Sequence, residues 1–282
     1  MDLLIVFLRY HTGRGHGSWT KTDAGWLAFW FFLPVVITAI SIAIGVCRYY
    51  EIHVLKFYKY FSDLSEEHKK ILKEQFPYYQ KLSKSEKKLF EDRIRHFLIN
   101  KDFVSNDLEI AEEMKVLISA TAIQILFGLD PYYLSSFDTI EITLEESKNT
   151  LSEKSKKMII CWPAFKAGID NNTDGYNPGL KILSVAFNLE KQLNKYSAKM
   201  FNAHRFKELN QLYRNQAEKY IASGKSKYQD YKQVDRNEYF AIAVEYFFER
   251  PEHFYANQPE MYIALAKLLR QDSLGMYKFK RK

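Results

Sequence analysis

Residues 237–251 read NEYFAIAVEYFFERP, an almost unbroken apolar and aromatic run punctuated by Glu238, Glu245 and Glu249. Asp235 or Asn237 offers a side-chain oxygen to the unpaired N–H groups that open a helix, and Pro251 pushes Arg250 out of helical geometry. The stretch therefore predicts a helix over Glu238–Glu249. Glu238 falls in its first turn, where the helix dipole favours a carboxylate, and taken alone that is the ordinary explanation of its presence. Tyr231, seven residues upstream, reads by itself as a loop aromatic.

Working outward, the chain is mostly helical. Asn177-Pro178 pairs a capping side chain with a first-turn proline, predicting a helix from Pro178 to about Met200 after the Asp-, Asn- and Gly-rich segment Gly168–Gly175. Leu64–Phe76 and Ser83–Asn100 space their apolar residues by three and four, as surface helices do. Ser105 or Asn106 can cap a long helix from Leu108 to Phe127, with Gly128 as its stop and Asp130-Pro131 as a turn. Thr139–Leu144 alternates like a strand, Met158–Trp162 is a continuous apolar run, and the two can pair. A last helix spans about Pro259–Arg270. This is an α+β pattern, mostly helical, with a small sheet.

The 282 residues carry 41 Lys+Arg against 34 Asp+Glu, a formal +7, with 47% hydrophobic and 27% charged residues. That composition excludes a disordered chain, and no nucleic-acid motif accompanies the modest basic excess. Ala24–Cys47 is a run of 24 residues without a charge, long enough on hydropathy for one transmembrane helix. Pro34 predicts a mild kink, with Thr38 or Ser41 hydrogen-bonding inside the helix, and Trp26, Trp30, Tyr49 and Tyr50 mark the two ends. The organisation expected is a tail at 1–23, a transmembrane helix at 24–47 that makes the membrane a partner, and a domain at 48–282. Cys161 has no second cysteine in that domain, which leans it toward a reducing compartment.

Taken in order, Glu113-Met114-Lys115-Val116-Leu117-Ile118, Trp162, Asn177-Pro178-Gly179-Leu180, Asn237–Pro251, and the closing Tyr262, Leu265 and Leu268–Asp272 resemble the Mlc titration factor A family of zinc-dependent peptidases. The likeness covers about residues 75–273. It implies a thermolysin-like metallopeptidase core in which one helix carries H-E-x-x-H and a downstream glutamate completes a zinc site. Histidines four apart share a helix face, and the glutamate beside the first activates zinc-bound water. With the span at 24–47 the expectation is a bacterial inner-membrane, single-pass protein, and the cytosolic character that the resemblance implies puts its large domain in the cytoplasm.

In the family the motif follows directly after the Asn-x-x-Leu step, here Asn177–Leu180, and that place reads Lys181-Ile182-Leu183-Ser184-Val185. Lys181 replaces the first histidine, Ile182 the general base and Val185 the second histidine. An ammonium cannot ligate zinc, and isoleucine and valine have no lone pair. No catalytic residue and no metal ligand set is expected, so no cofactor is expected. By the resemblance, Glu238 matches the third zinc ligand and Tyr231 a tyrosine that can stabilise an oxyanion. If the fold is kept, the Lys181 ammonium has two places open to it: facing Glu238 where the metal sat, or snorkelling to solvent.

The other chemistries are weaker. The seven histidines form no H-x-x-x-H, and the pairs Asp92/His96 and His204/Glu208 are more simply solvated helix faces. Cys161 lies in an apolar strand, where an inert thiol is usual. Two readings follow. The first is a membrane-anchored, catalytically inactive relative of the zinc-dependent peptidases, a pseudoenzyme acting by binding a regulatory protein or a peptide. The alternative is an active zinc-dependent metallopeptidase whose metal site is assembled by other residues, in which case zinc is the cofactor.

Overall fold

The structure is a computed structural model that describes residues 21–49, 62–130, 132–145, 150–152, 156–193, 203–222, 235–276 and 279. The chain divides into two compact units, Met1–Val54 and Leu55–Lys282.

In the first unit a helix, α1, runs Lys21–Tyr49 with Pro34 inside it. Thr38 Oγ1 donates to the Pro34 carbonyl at 2.7 Å and Ser41 Oγ to the Ile37 carbonyl at 2.9 Å, so the expected intrahelical bonds form. The expectation of a transmembrane helix at 24–47, and with it a single-pass inner-membrane protein, is overturned: among the described residues no helix is long and apolar enough to cross a membrane.

The second unit is built around α5 (Glu112–Leu126), whose side chains are buried without a break from Val116 to Leu126. Before it come α2 (Glu66–Gln75), the short α3 (Pro77–Gln80) and α4 (Lys84–Asn100). Ser83 and Glu86 close a reciprocal capping box at the start of α4, which fixes where the helix begins. Arg93 turns inward from α4 and donates to the carbonyls of Phe127 and Leu129 at 2.9 and 2.8 Å, satisfying acceptors that the end of α5 leaves free. Gly128 is required there by space as well as by helix termination, because a Cβ would lie 2.2 Å from the Leu269 carbonyl oxygen.

A four-stranded sheet lies in the order β1-β2-β4-β3, from β1 (Asp102–Val104), β2 (Thr139–Thr143), β3 (Thr150–Ser152) and β4 (Lys157–Cys161). β2 pairs in parallel with β1 and with β4, setting Ile142 against Ile160, while β3 pairs antiparallel to β4. Trp162 leaves the strand to open α6 (Trp162–Asp170). The remaining helices are α7 (Pro178–Leu193), α8 (Ala203–Ala222), α9 (Arg236–Glu249), α10 (Pro251–Asn257) and α11 (Pro259–Leu269).

Candidate functional site

The site rests on the start of α7, which is tied on three sides by Asn177. Its Oδ1 accepts from Leu180 N at 2.9 Å as a helix cap, and its Nδ2 donates to the Gly168 carbonyl and to Glu249 Oε1, both at 2.9 Å. Its backbone N–H donates to Glu245 Oε1 at 2.7 Å. Gly175, in the left-handed region at φ +82°, turns its N–H onto Glu249 Oε2 at 3.1 Å. A Cβ at Gly179 would sit 2.6 Å from the Phe165 ring, so glycine lets α7 start directly against α6. Contacts from 177 to 249 at one end and from 188 to 237 at the other set α7 and α9 antiparallel.

One turn into α7, Lys181 Nζ meets Glu238 Oε1 at 3.0 Å, with 38% and 55% of the two side chains exposed. The pair lies at the first turn of α9, which Asp235 caps by accepting from Asn237 N at 2.8 Å and Glu238 N at 3.4 Å. Beside it Asn188 Nδ2 donates to Asn237 Oδ1 at 2.7 Å. The hydrogen bond that Lys181 donates to Glu238 holds the Lys181 pKa above its ordinary value, against the opposing effect of burial. Ile182 is buried in the core and Val185 packs partly buried against it. Ser184 Oγ is sealed in without a partner among the described residues.

Behind the ion pair lies an acidic pair that the sequence reading passed over. Burial pushes Glu245 up to about 7, although the Asn177 N–H and the Lys181 charge favour its ionised form. Burial likewise raises Glu249. Their signal was present: Glu238, Glu245 and Glu249 recur at seven and four in an apolar helix, which places three carboxylates on the face that α7 covers.

The donor set does not fit the zinc that the resemblance implies. Glu238 is a possible ligand, but its neighbour is an ammonium, and the adjoining positions are hydrocarbon. Among the described residues no group of three His, Cys, Asp or Glu side chains comes together to hold a metal. Tyr231 lies outside the described residues. Of the other candidates, Asp92 pairs with Arg95 at 3.2 Å, and His96 turns Nδ1 to the Tyr132 hydroxyl. Burial first, then the Arg95 and Arg93 charges, push His96 down to about 4, the behaviour of a neutral structural imidazole. Cys161 is a free, buried thiol.

The model of the family described as glucose-regulated metallo-peptidase M90 matches residues 58–270. The chain is also 20% identical over 222 residues to the uncharacterized protein slr2042 of Synechocystis sp., covering 70% of this chain and 81% of that one.

Proposed function

The chain belongs to the glucose-regulated metallo-peptidase M90 family, and on that premise we propose that it is a non-hydrolytic member that works by binding a protein or peptide partner. The observation that carries the reading is the 3.0 Å contact between Lys181 Nζ and Glu238 Oε1. A tethered cation stands beside the carboxylate that the resemblance makes a metal ligand, on a helix face whose next positions are Ile182 and Val185. An ammonium polarises no carbonyl as a divalent ion does and lowers no bound water to a neutral-pH nucleophile. What the family scaffold retains is a helix pair that presents polar groups on a fixed frame.

The test is metal content and hydrolysis measured together on the full chain. Zinc far below one per chain, with no chelator-sensitive cleavage of a peptide mixture, is the expected result. Zinc near one per chain, with cleavage abolished by chelator, overturns the reading in favour of an active metallopeptidase.

A further inference from the structure

A cavity of about 400 Å³ opens between α3, α5, the end of α9 and the segment after α11, and neither Lys181 nor Glu238 lines it. That volume lies in the range of small-ligand sites, which combine apolar walls with a few placed polar groups. Tyr78, Leu180 and Phe248 supply apolar wall. Gln124, only 9% exposed, borders the cavity from the centre of the core helix α5.

The Gln124 side-chain amide has no hydrogen-bond partner among the described residues. Gln271 satisfies the neighbouring backbone instead, donating from Nε2 to the carbonyls of Gln124 and Ile125 at 2.8 and 3.1 Å and accepting from the Tyr78 hydroxyl at 2.6 Å. Native proteins satisfy polar groups at this depth, with protein atoms or with what occupies the space beside them. The amide is not sealed in as the Ser184 hydroxyl is. The space open to it is the cavity that it lines.

Charge selects the complement. Glu252 is exposed at the cavity edge. Glu86, Glu249 and Asp272 line the cavity with it, and their carboxylates also accept from Ser83, from Asn177 and Gly175, and from Tyr262 and Leu274. Lys81 is the one cation among the described lining residues. We propose that this cavity is a binding site for a ligand that carries an ammonium and an amide on an apolar body, the chemistry of a peptide amino terminus. The acidic rim takes the ammonium, Gln124 pairs with the ligand amide, and the aromatic wall takes the side chain. The site goes beyond the reading above, because it stands whether or not the chain hydrolyses a peptide.

The probe is phenylalaninamide, titrated calorimetrically into the full chain below the α-amino pKa of about 7.7 so that its ammonium is formed. Saturable binding is expected. N-acetylphenylalaninamide, which keeps the amide and ring but loses the charge, is expected to bind at least about tenfold more weakly, and Gln124→Leu to weaken phenylalaninamide by a similar factor. Should Gln124→Leu fail to fold, the exposed Glu252→Gln takes its place, with a loss of several-fold. Absence of saturable binding, or either loss missing, overturns the assignment.

Discussion

Lys181 and Glu238 meet with 38% and 55% of their side chains exposed, and that exposure limits what their pairing contributes. Breaking a buried pair costs on the order of 3–5 kcal/mol, whereas exposed pairs contribute about 0–1 kcal/mol. Lys181→Ala is therefore expected to lower unfolding stability by less than about 1 kcal/mol in a urea titration, with the loss shrinking in high salt. A drop of several kcal/mol would mean that the pair acts as a buried one. Glu245 is the opposite case: it is 3% exposed and its pKa is raised to about 7. An acid with a raised folded pKa binds more protons folded than unfolded, so its contribution falls as pH rises from about 4.5 to about 7, by up to roughly 3 kcal/mol. Glu245→Gln keeps an acceptor for the Asn177 N–H and removes the ionisation. Stability measured at pH values on either side of that window should be flatter for Glu245→Gln, and higher than the parent at the alkaline side.

At the scale of elements, what was legible was whatever the chain writes locally. The capping side chains Ser83, Asn177 and Asp235 sit within one residue of the helix starts they announce, because a cap and its N–H partners are three residues apart. Ser105 misled for the same reason: its Oγ accepts from Asp107 and Leu108 N, a local turn, while α5 begins later after Ala111 with no side-chain cap. The three-residue strands β1 and β3 left no periodicity to read, since each is defined by a neighbour far along the chain. Membership of the Lys181–Glu238 site came from the resemblance, and the Glu245 and Glu249 contacts came only from the packing of α7 on α9. Asp235→Ala should cost about 1 kcal/mol and fray the first turn of α9. Because Glu238 stands in that turn, hydrogen exchange at residues 237–240 should rise, and unchanged exchange would separate the cap from the site.

For the whole molecule, the question is whether α7 and α9 hold positions 181, 185 and 238 where a metal site would need them. Lys181 and Val185 stand four apart on α7 and Glu238 faces the first of them at 3.0 Å, so imidazoles at 181 and 185 would share one helix face with the carboxylate opposite. Ile182 is 6% exposed, and a glutamate there would add a buried charge to the comparison. Lys181→His with Val185→His alone therefore tests position without that cost. A ligand that binds only the folded state at 100 times its Kd stabilises by about 2.7 kcal/mol, and each kcal/mol moves the midpoint of a domain this size by about 2–4 °C. Zinc should thus raise the Tm of the double variant by roughly 5–10 °C and leave the parent unmoved. Adding Glu238→Gln should abolish most of the rise, because a neutral amide is a poorer zinc donor than a carboxylate. A rise that survives Glu238→Gln would place the metal elsewhere, and no rise in the double variant would mean that α7 and α9 have moved beyond coordinating distance in solution.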